Sequence, residues 1–254
     1  MTINQAFEIL KDAGGIRAAR IITDNTKYFS RIRVWRMACA LRRGVPVAKI
    51  IHQKWFYGIP FYTNKYTLDP RPDTETLVAA VIADNPAAPK ILDLGTGTGC
   101  IIISLVKNIH GAHGVGIDIS RGAIRVARQN IKNFDLSDKI KITRASFDTP
   151  HAVHEKFDII VSNPPYIARD DARVDAGARH DPRVALYADR DGAAAYESIA
   201  RYAKNWIAPG GKIYLEIGDG MEKTVRKIFE NAGWKFIRAE CDLGNIVRVL
   251  VFKI

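Results

Sequence analysis

The chain has 254 residues, 47% of them hydrophobic, and a formal net charge of +11 at neutral pH. That length suits one α/β domain with a small accessory domain, and the apolar content is ample for a core. No apolar run approaches the roughly 20 residues that a membrane helix needs, and the mixed polar and apolar stretch Met1–Gly15 does not read as a signal peptide.

The charge is uneven. Residues 1–54 hold eleven Lys or Arg against three acids (Glu8, Asp12, Asp24), so most of the positive charge sits there. Lys27, Arg31, Arg33, Arg36, Arg42 and Arg43 form either a solvated helix face or a docking surface for an acidic partner or an RNA-rich particle. Cys39, Cys100 and Cys241 are isolated, with no metal-type spacing, and read as reduced thiols of a cytoplasmic protein. The six histidines are scattered, so no metal site is expected.

Residues 4–43 have a helical pattern, with Ile32, Trp35 and Cys39 at three- and four-residue spacing among the arginines. The segment is too short for a robust domain alone and is expected to pack on the rest. Next, Trp55-Phe56-Tyr57 and Phe61-Tyr62 flank Gly58-Ile59-Pro60, which predicts a hairpin turning at the Gly-Ile-Pro. In Leu68–Glu75, Thr74 or Asp73 is placed to cap a helix over Leu77–Ala83.

From Lys90 onward strands and helices alternate. Strands are expected at 90–94, 114–118, 139–143, 157–162 and 211–217, with two more near 234–240 and 246–253. Helices fall at about 99–108, 120–133, 192–207 and 219–232. The alternation predicts a parallel sheet with right-handed crossovers and ligands outside the carboxyl ends of its strands. The chain thus divides into a basic helical segment (1–54), a bridging segment (55–75) and an α/β unit (76–254).

Three motifs fall at those strand ends. The strand Ile91-Leu92-Asp93-Leu94 runs into Gly95-Thr96-Gly97-Thr98-Gly99 and then an apolar helix pattern. Glycines there let the backbone turn tightly and approach a ligand at a helix N-terminus. The next strand ends in Asp118, 23 residues after Gly95, where a carboxylate can accept both ribose hydroxyls. A dinucleotide fingerprint needs a small residue where Cys100 stands. The alternate glycine spacing better fits a nucleoside carrying an amino acid, S-adenosylmethionine.

The third motif is Asn163-Pro164-Pro165-Tyr166, after the mostly apolar run Phe157–Ser162. It suits the methylation of a planar nitrogen, whose lone pair is shared with a π-system. The Asn163 side-chain carbonyl and the Pro164 carbonyl are two acceptors for the N–H hydrogens of such a group. Neither proline donates an N–H, each holds the preceding residue extended, and Tyr166 can stack on the planar group. A strand end closed by a Pro-Pro turn is the plainer alternative.

Taken together the chain resembles the glutamine methyltransferases that modify peptide-chain release factors, and the resemblance covers nearly all of it. Its markers are Phe56-Tyr57-Gly58, the run Pro70–Glu75, Asp93–Gly99, Asp118, Asn163–Tyr166, Asp181–Leu186, Asp191-Gly192 and Gly210-Gly211 to Leu215-Glu216-Ile217-Gly218. The resemblance implies a Rossmann-like, seven-stranded class I methyltransferase sheet with a small N-terminal helical domain that helps grip the release factor. It implies that Gly95, Thr96, Gly97, Thr98 and Gly99 hold the methionine end of S-adenosylmethionine, with Asp93 close behind, Asp118 on the ribose and Asn163 also facing the cofactor. Asn163, Pro164 and Pro165 would bind the substrate amide and Tyr166 would pack on it, the substrate being the glutamine of a Gly-Gly-Gln motif. Methylation of a ribosomal-protein glutamine, or of an adenine amino group in DNA or RNA, poses the same chemistry.

The chain departs from the family pattern in two places. Ser146-Phe147-Asp148 stands where the family has Ser-Asp-aromatic beside the adenine, which bears on Asp148 as a cofactor contact. The N-terminal helical segment is also shorter than usual. A monomer with no stable nucleic-acid binding is expected, His180 and Asp181 are read as loop or capping residues rather than bases, and the polar loop 167–190 is placed to close over the site.

Overall fold

The computed structural model describes residues 1–149, 153–168, 180–189 and 192–254. Three helices lead: α1 (Ile3–Asp24), α2 (Arg31–Arg42) and α3 (Val47–Ile51). Thr2 and Gln5 form a capping box on α1, and the Ser30 side chain caps α2 by accepting from the Arg33 N–H. Gly15, at φ 84°, kinks α1. These helices bury their own small core, including Leu10, Ile22, Val34 and Met37.

The hairpin forms from β1 (Gln53–Phe56) and β2 (Ile59–Tyr62), with Trp55 opposite Pro60. Its turn is Tyr57-Gly58, not the Gly-Ile-Pro expected from the sequence. Both turn residues have positive φ (46° and 76°), the backbone twist that a two-residue hairpin requires. Ile59 and Pro60 therefore belong to the strand, and Pro60 is tolerated because this two-stranded ribbon is all edge.

A short 3-10 turn (Pro72–Thr74) leads into α4 (Glu75–Ala83). The main sheet has seven strands in the order β10-β11-β9-β6-β3-β4-β5. They are β3 (Lys90–Leu94), β4 (His113–Asp118), β5 (Ile140–Arg144), β6 (Phe157–Ser162), β9 (Ile207–Glu216), β10 (Lys235–Cys241) and β11 (Val247–Lys253). Helices α5 (Cys100–Asn108), α6 (Arg121–Asn133), α8 (Ala194–Tyr202) and α9 (Glu222–Asn231) cover its two faces. Between β6 and α8 lie a small parallel pair, β7 (Ile167–Ala168) with β8 (Tyr187–Ala188), and the short helix α7 (Arg183–Leu186).

Strand side chains alternate between the two cores. Ile91 of β3 packs with α4, α5 and α6, whereas Leu92 and Leu94 pack with Tyr196, Trp206 and Phe229 on the other face. β3 is parallel to both β4 and β6, so the strand order reverses there. The sheet is mixed rather than wholly parallel, because β11 runs antiparallel to β9 and β10. The short connection from β10 to β11 has no room for a crossover helix, which forces an antiparallel pair.

Lys49 joins the helical segment to the rest. Its ammonium is almost fully buried and pairs with Asp69 at 2.8 Å and Asp181 at 2.9 Å. It also donates to the carbonyls of Asn64 (2.8 Å) and Thr67, and Arg71 adds a second contact to Asp181 at 2.9 Å. Removing this one cation leaves the buried Asp69 carboxylate without a counter-charge and Asp181 with Arg71 alone, so Lys49→Ala should lose about 3–5 kcal/mol in urea denaturation. A loss within about 0.5 kcal/mol, as at an ordinary surface site, would show that the cluster contributes little.

Candidate active site

The Gly95–Gly99 loop takes its shape from the strand beside it. The N–H groups of Gly95 and Thr96 both donate to the Ile117 carbonyl at 2.9 Å, which turns the chain off the end of β3. Gly95, Gly97 and Gly99 have φ of 74°, 55° and 81°, conformations that favour glycine. Gly99 stands at the N-cap of α5 and has no side chain with which to cap it, so first-turn N–H groups stay available to a ligand.

Two carboxylates brace this loop. Asp118, at the end of β4, accepts from the Gly97 N–H at 3.0 Å and the Ser120 N–H at 2.8 Å, one on each oxygen. Each oxygen keeps lone-pair capacity toward the pocket. Burial nevertheless pushes the Asp118 carboxyl above its ordinary value, against those N–H bonds. Asp93 is fully buried behind the loop, where its Oδ2 accepts from the Thr96 hydroxyl at 2.6 Å. Among the described residues its Oδ1 has no hydrogen-bond partner, and burial pushes the carboxyl up to about 7. Burial likewise drives the Cys100 thiol up to about 12, so it is inert.

Asn163 follows β6 directly and lines the same pocket as Gly95–Thr98 and Asp118, with Pro165 beside it. Its side-chain Nδ2 donates to the Thr74 hydroxyl at 3.0 Å. Thr74 holds the N-cap position of α4 yet makes no side-chain cap bond, so the capping role read from the sequence is not the one it has. Asp73, the other capping candidate, pairs with Arg248 at 3.1 Å. Glu216, at the end of β9, is 1% exposed, and among the described residues its Oε2 has no hydrogen-bond partner. Burial pushes its carboxyl up to about 7, opposed by hydrogen bonds from Thr74 and Asn163.

Pro164 is buried and Tyr166 half-buried; neither lines the pocket. The Tyr166 ring packs over Gly218, where an added Cβ would come within 2.9 Å of it. Its phenol is pushed above its ordinary value by burial, with Glu216 adding to the effect. Asp148 is not brought into the pocket. It is exposed, bonds to Ser146 and lines a separate cavity with Asp189 and Arg201, while Phe147 packs on the core.

The structure adds residues that the sequence reading passed over. Asn130 of α6 is fully buried and ties the Gly loop to the hairpin. Its Nδ2 donates to the carbonyls of Thr98 (2.9 Å) and Tyr62 (3.0 Å), and its Oδ1 accepts from the Tyr62 N–H. Tyr66, Asp69 and Arg71, just before α4, form the pocket's other wall. Asp181, paired with Lys49 and Arg71, is a structural residue of the 180–189 segment, and Ala185 of that segment reaches the pocket. Residues 169–179 and 190 of the expected closing loop, and Asp191, lie outside the described residues.

The methyltransferase small domain family matches residues 69–180. A release factor glutamine methyltransferase of Agrobacterium fabrum is 37% identical over 229 residues, covering 86% of this chain and 78% of the relative. The chain belongs to the release factor glutamine methyltransferase family. A bifunctional methyltransferase of Rickettsia felis is 38% identical over 82% of this chain, which there spans 45% of the relative's length. The fold is that of a methyltransferase from Pyrococcus furiosus, with a TM-score of 0.60 at 16% identity over 88% of this chain and 98% of the other. Among the described residues no helix is long and apolar enough to cross a membrane.

The raised Asp93 carboxyl has a consequence for stability. It stays protonated in the folded chain but ionises in the unfolded one between pH 3.8 and about 7. Folding therefore weakens as pH rises through that window, by at most about 1.4 kcal/mol per pH unit for each such group. In ligand-free protein, Asp93→Asn should flatten the fall in urea-denaturation stability between pH 5 and 7. An unchanged slope would mean that Asp93 is ionised in the folded state.

Proposed function

We propose that this chain methylates the side-chain amide nitrogen of a protein glutamine, the one in the Gly-Gly-Gln motif of a peptide-chain release factor. The observation that supports this most is the meeting of Asn163, Pro165, Asp118 and the Gly loop around one pocket at the carboxyl ends of β3, β4 and β6. Family membership narrows the chemistry to methyl transfer and the acceptor to glutamine.

S-adenosylmethionine fits the residues present, and it supplies an activated methyl group on a sulfonium cation. Two buried carboxyl oxygens near this pocket, Asp93 Oδ1 and Glu216 Oε2, have no hydrogen-bond partner, and burial has pushed both groups toward their neutral forms. A positive ligand in front of them favours their charged forms. Gly95–Gly99 would hold the amino-acid end of the cofactor and Asp118 its ribose hydroxyls.

Asn163 Oδ1, on the pocket wall, would accept one N–H hydrogen of the substrate amide and the carbonyl of the adjoining Pro164, which does not itself line the pocket, the other, with Tyr166 packed behind. Gripping both hydrogens disfavours the planar amide and favours the pyramidal nitrogen that attacks, so binding is strongest in the transition state. Holding the acceptor at roughly 3–3.5 Å from the donor accounts for as much as about 7–11 kcal/mol of the barrier. No strong general base is required, because the amide proton becomes acidic only as the nitrogen–carbon bond replaces the methyl group's bond to sulfur, and it is then lost to water.

The substrate protein would approach over a groove of about 680 Å³ between α1, α3 and β1, which shares Asp69 and Arg71 with the pocket and carries Arg17, Lys54 and Trp55. We read the enzyme as a cytoplasmic monomer.

The test is to supply methyl-labelled S-adenosylmethionine with release factor, the same factor with its Gly-Gly-Gln glutamine changed to alanine, ribosomal protein, or duplex DNA. Label should enter the intact factor alone. Label on ribosomal protein or DNA alone would keep the chemistry and overturn the substrate. Separately, Asp118→Ala should weaken cofactor binding at least tenfold in titration calorimetry, and unchanged affinity would contradict the ribose assignment.

A further inference from the structure

Asn163 is useful to a substrate amide only if its own amide faces the right way. The two ends of an Asn side chain are nearly equal in shape but opposite in hydrogen-bonding character. With Oδ1 toward the pocket it accepts the substrate N–H; flipped, it would set an NH₂ group against another NH₂ group. Nothing in the local Asn-Pro-Pro backbone chooses between the two.

The choice lies with residues far off in sequence. Thr74 Oγ1 takes a hydrogen from Asn163 Nδ2 at 3.0 Å. It is free to do so because it makes no cap bond to α4. Having accepted there, the hydroxyl directs its own proton to the Glu216 carboxyl, which the Asn163 side chain also reaches. Burial raises the Glu216 carboxyl to about 7; in its ionised form it only accepts, and the chain of hydrogen bonds then has one direction, Asn163 Nδ2–H to Thr74 Oγ1–H to Glu216.

The far end of this relay is fixed. Glu216 is buried at the end of β9 in the main sheet, and its backbone carbonyl accepts from the Tyr196 hydroxyl at 2.9 Å. Arg248, the cation that bears on it, is already engaged by Asp73 and Asp242. Among the described residues Glu216 Oε2 has no hydrogen-bond partner.

We propose that Thr74 and Glu216 are positioning residues that lock the Asn163 amide with its carbonyl toward the substrate. The proposal rests on the reading of Asn163 as the substrate-amide acceptor. Neither residue touches the substrate nitrogen; they set the orientation of the group that does. A hydroxyl, which both accepts and donates, can bridge an amide NH₂ and a carboxylate.

The test compares Thr74→Val, which keeps the shape and removes the hydroxyl, with Thr74→Ser, which keeps the hydroxyl, and with Glu216→Gln. Thr74→Val and Glu216→Gln should each lower kcat at least tenfold while KM for the release factor and cofactor affinity stay within about twofold. Thr74→Ser should recover most of the turnover. Wild-type kcat in Thr74→Val, or an equal loss in Thr74→Ser, would overturn the proposal.

A second readout does not depend on turnover. The Asn163 side-chain NH₂ signal in nitrogen-15 spectra, assigned by its absence in Asn163→Ala, should exchange slowly in wild type and Thr74→Ser and quickly in Thr74→Val. Equal exchange in all three would refute the lock even if the enzyme proved to act on another substrate. Slow exchange with no methylation of release factor would keep the lock and overturn the substrate reading instead.

Discussion

The site depends on one constraint: three parallel strands, β3, β4 and β6, end at the same edge of the sheet with β3 in the middle. The carbonyl of Ile117, near the end of β4, takes the N–H groups of both Gly95 and Thr96 and bends the chain away from β3. That bend opens the pocket, puts Asp118 against the Gly97 N–H, and leaves Asn163 facing in from the other side. The chemistry-bearing residues come together because of strand order and not because any of them attract each other.

Around that geometry the protein has buried a set of polar groups whose partners come from distant parts of the chain. Lys49 holds Asp69 and Asp181, Asn130 holds Tyr62 and Thr98, and Thr74 holds Asn163. Each links a segment outside the sheet to the Gly95–Gly99 loop, to Asn163 or to the 63–71 wall of the pocket. Because a buried polar group is costly when unpartnered, these links fix the pocket wall more sharply than apolar packing would. The segment 63–74 is held at both ends in this way, by Lys49 at one and Asn163 at the other.

The seven strands of the main sheet were legible from the sequence because each is a short apolar or alternating segment bounded by turn signals, a local property. The Gly loop, Asp118 and Asn163 were legible because each directly follows or ends such a run. What was not legible arises from contacts distant in sequence. Thr74 is 89 residues from Asn163, and its position before an apolar run marks it as a cap; tertiary contact redirected its hydroxyl. Lys49 reads as one more cation in a basic segment until the fold buries it. The hairpin turn was placed one residue late because proline drew the turn to itself, whereas positive φ at Tyr57 and Gly58 decides it. The inverted Ser146-Phe147-Asp148 order already marked Asp148 as doubtful company for the adenine, and the fold leaves it outside the pocket.

The central claim is that the Asn163 carbonyl grips the acceptor amide. It is tested most directly by Asn163→Ala in single-turnover methylation of release factor, with cofactor affinity measured on the same protein. The account predicts a fall in rate of about a hundredfold or more, in the range of other lost transition-state hydrogen-bond partners, with cofactor affinity changed less than about threefold. A variant that transfers methyl groups at the wild-type rate would contradict it.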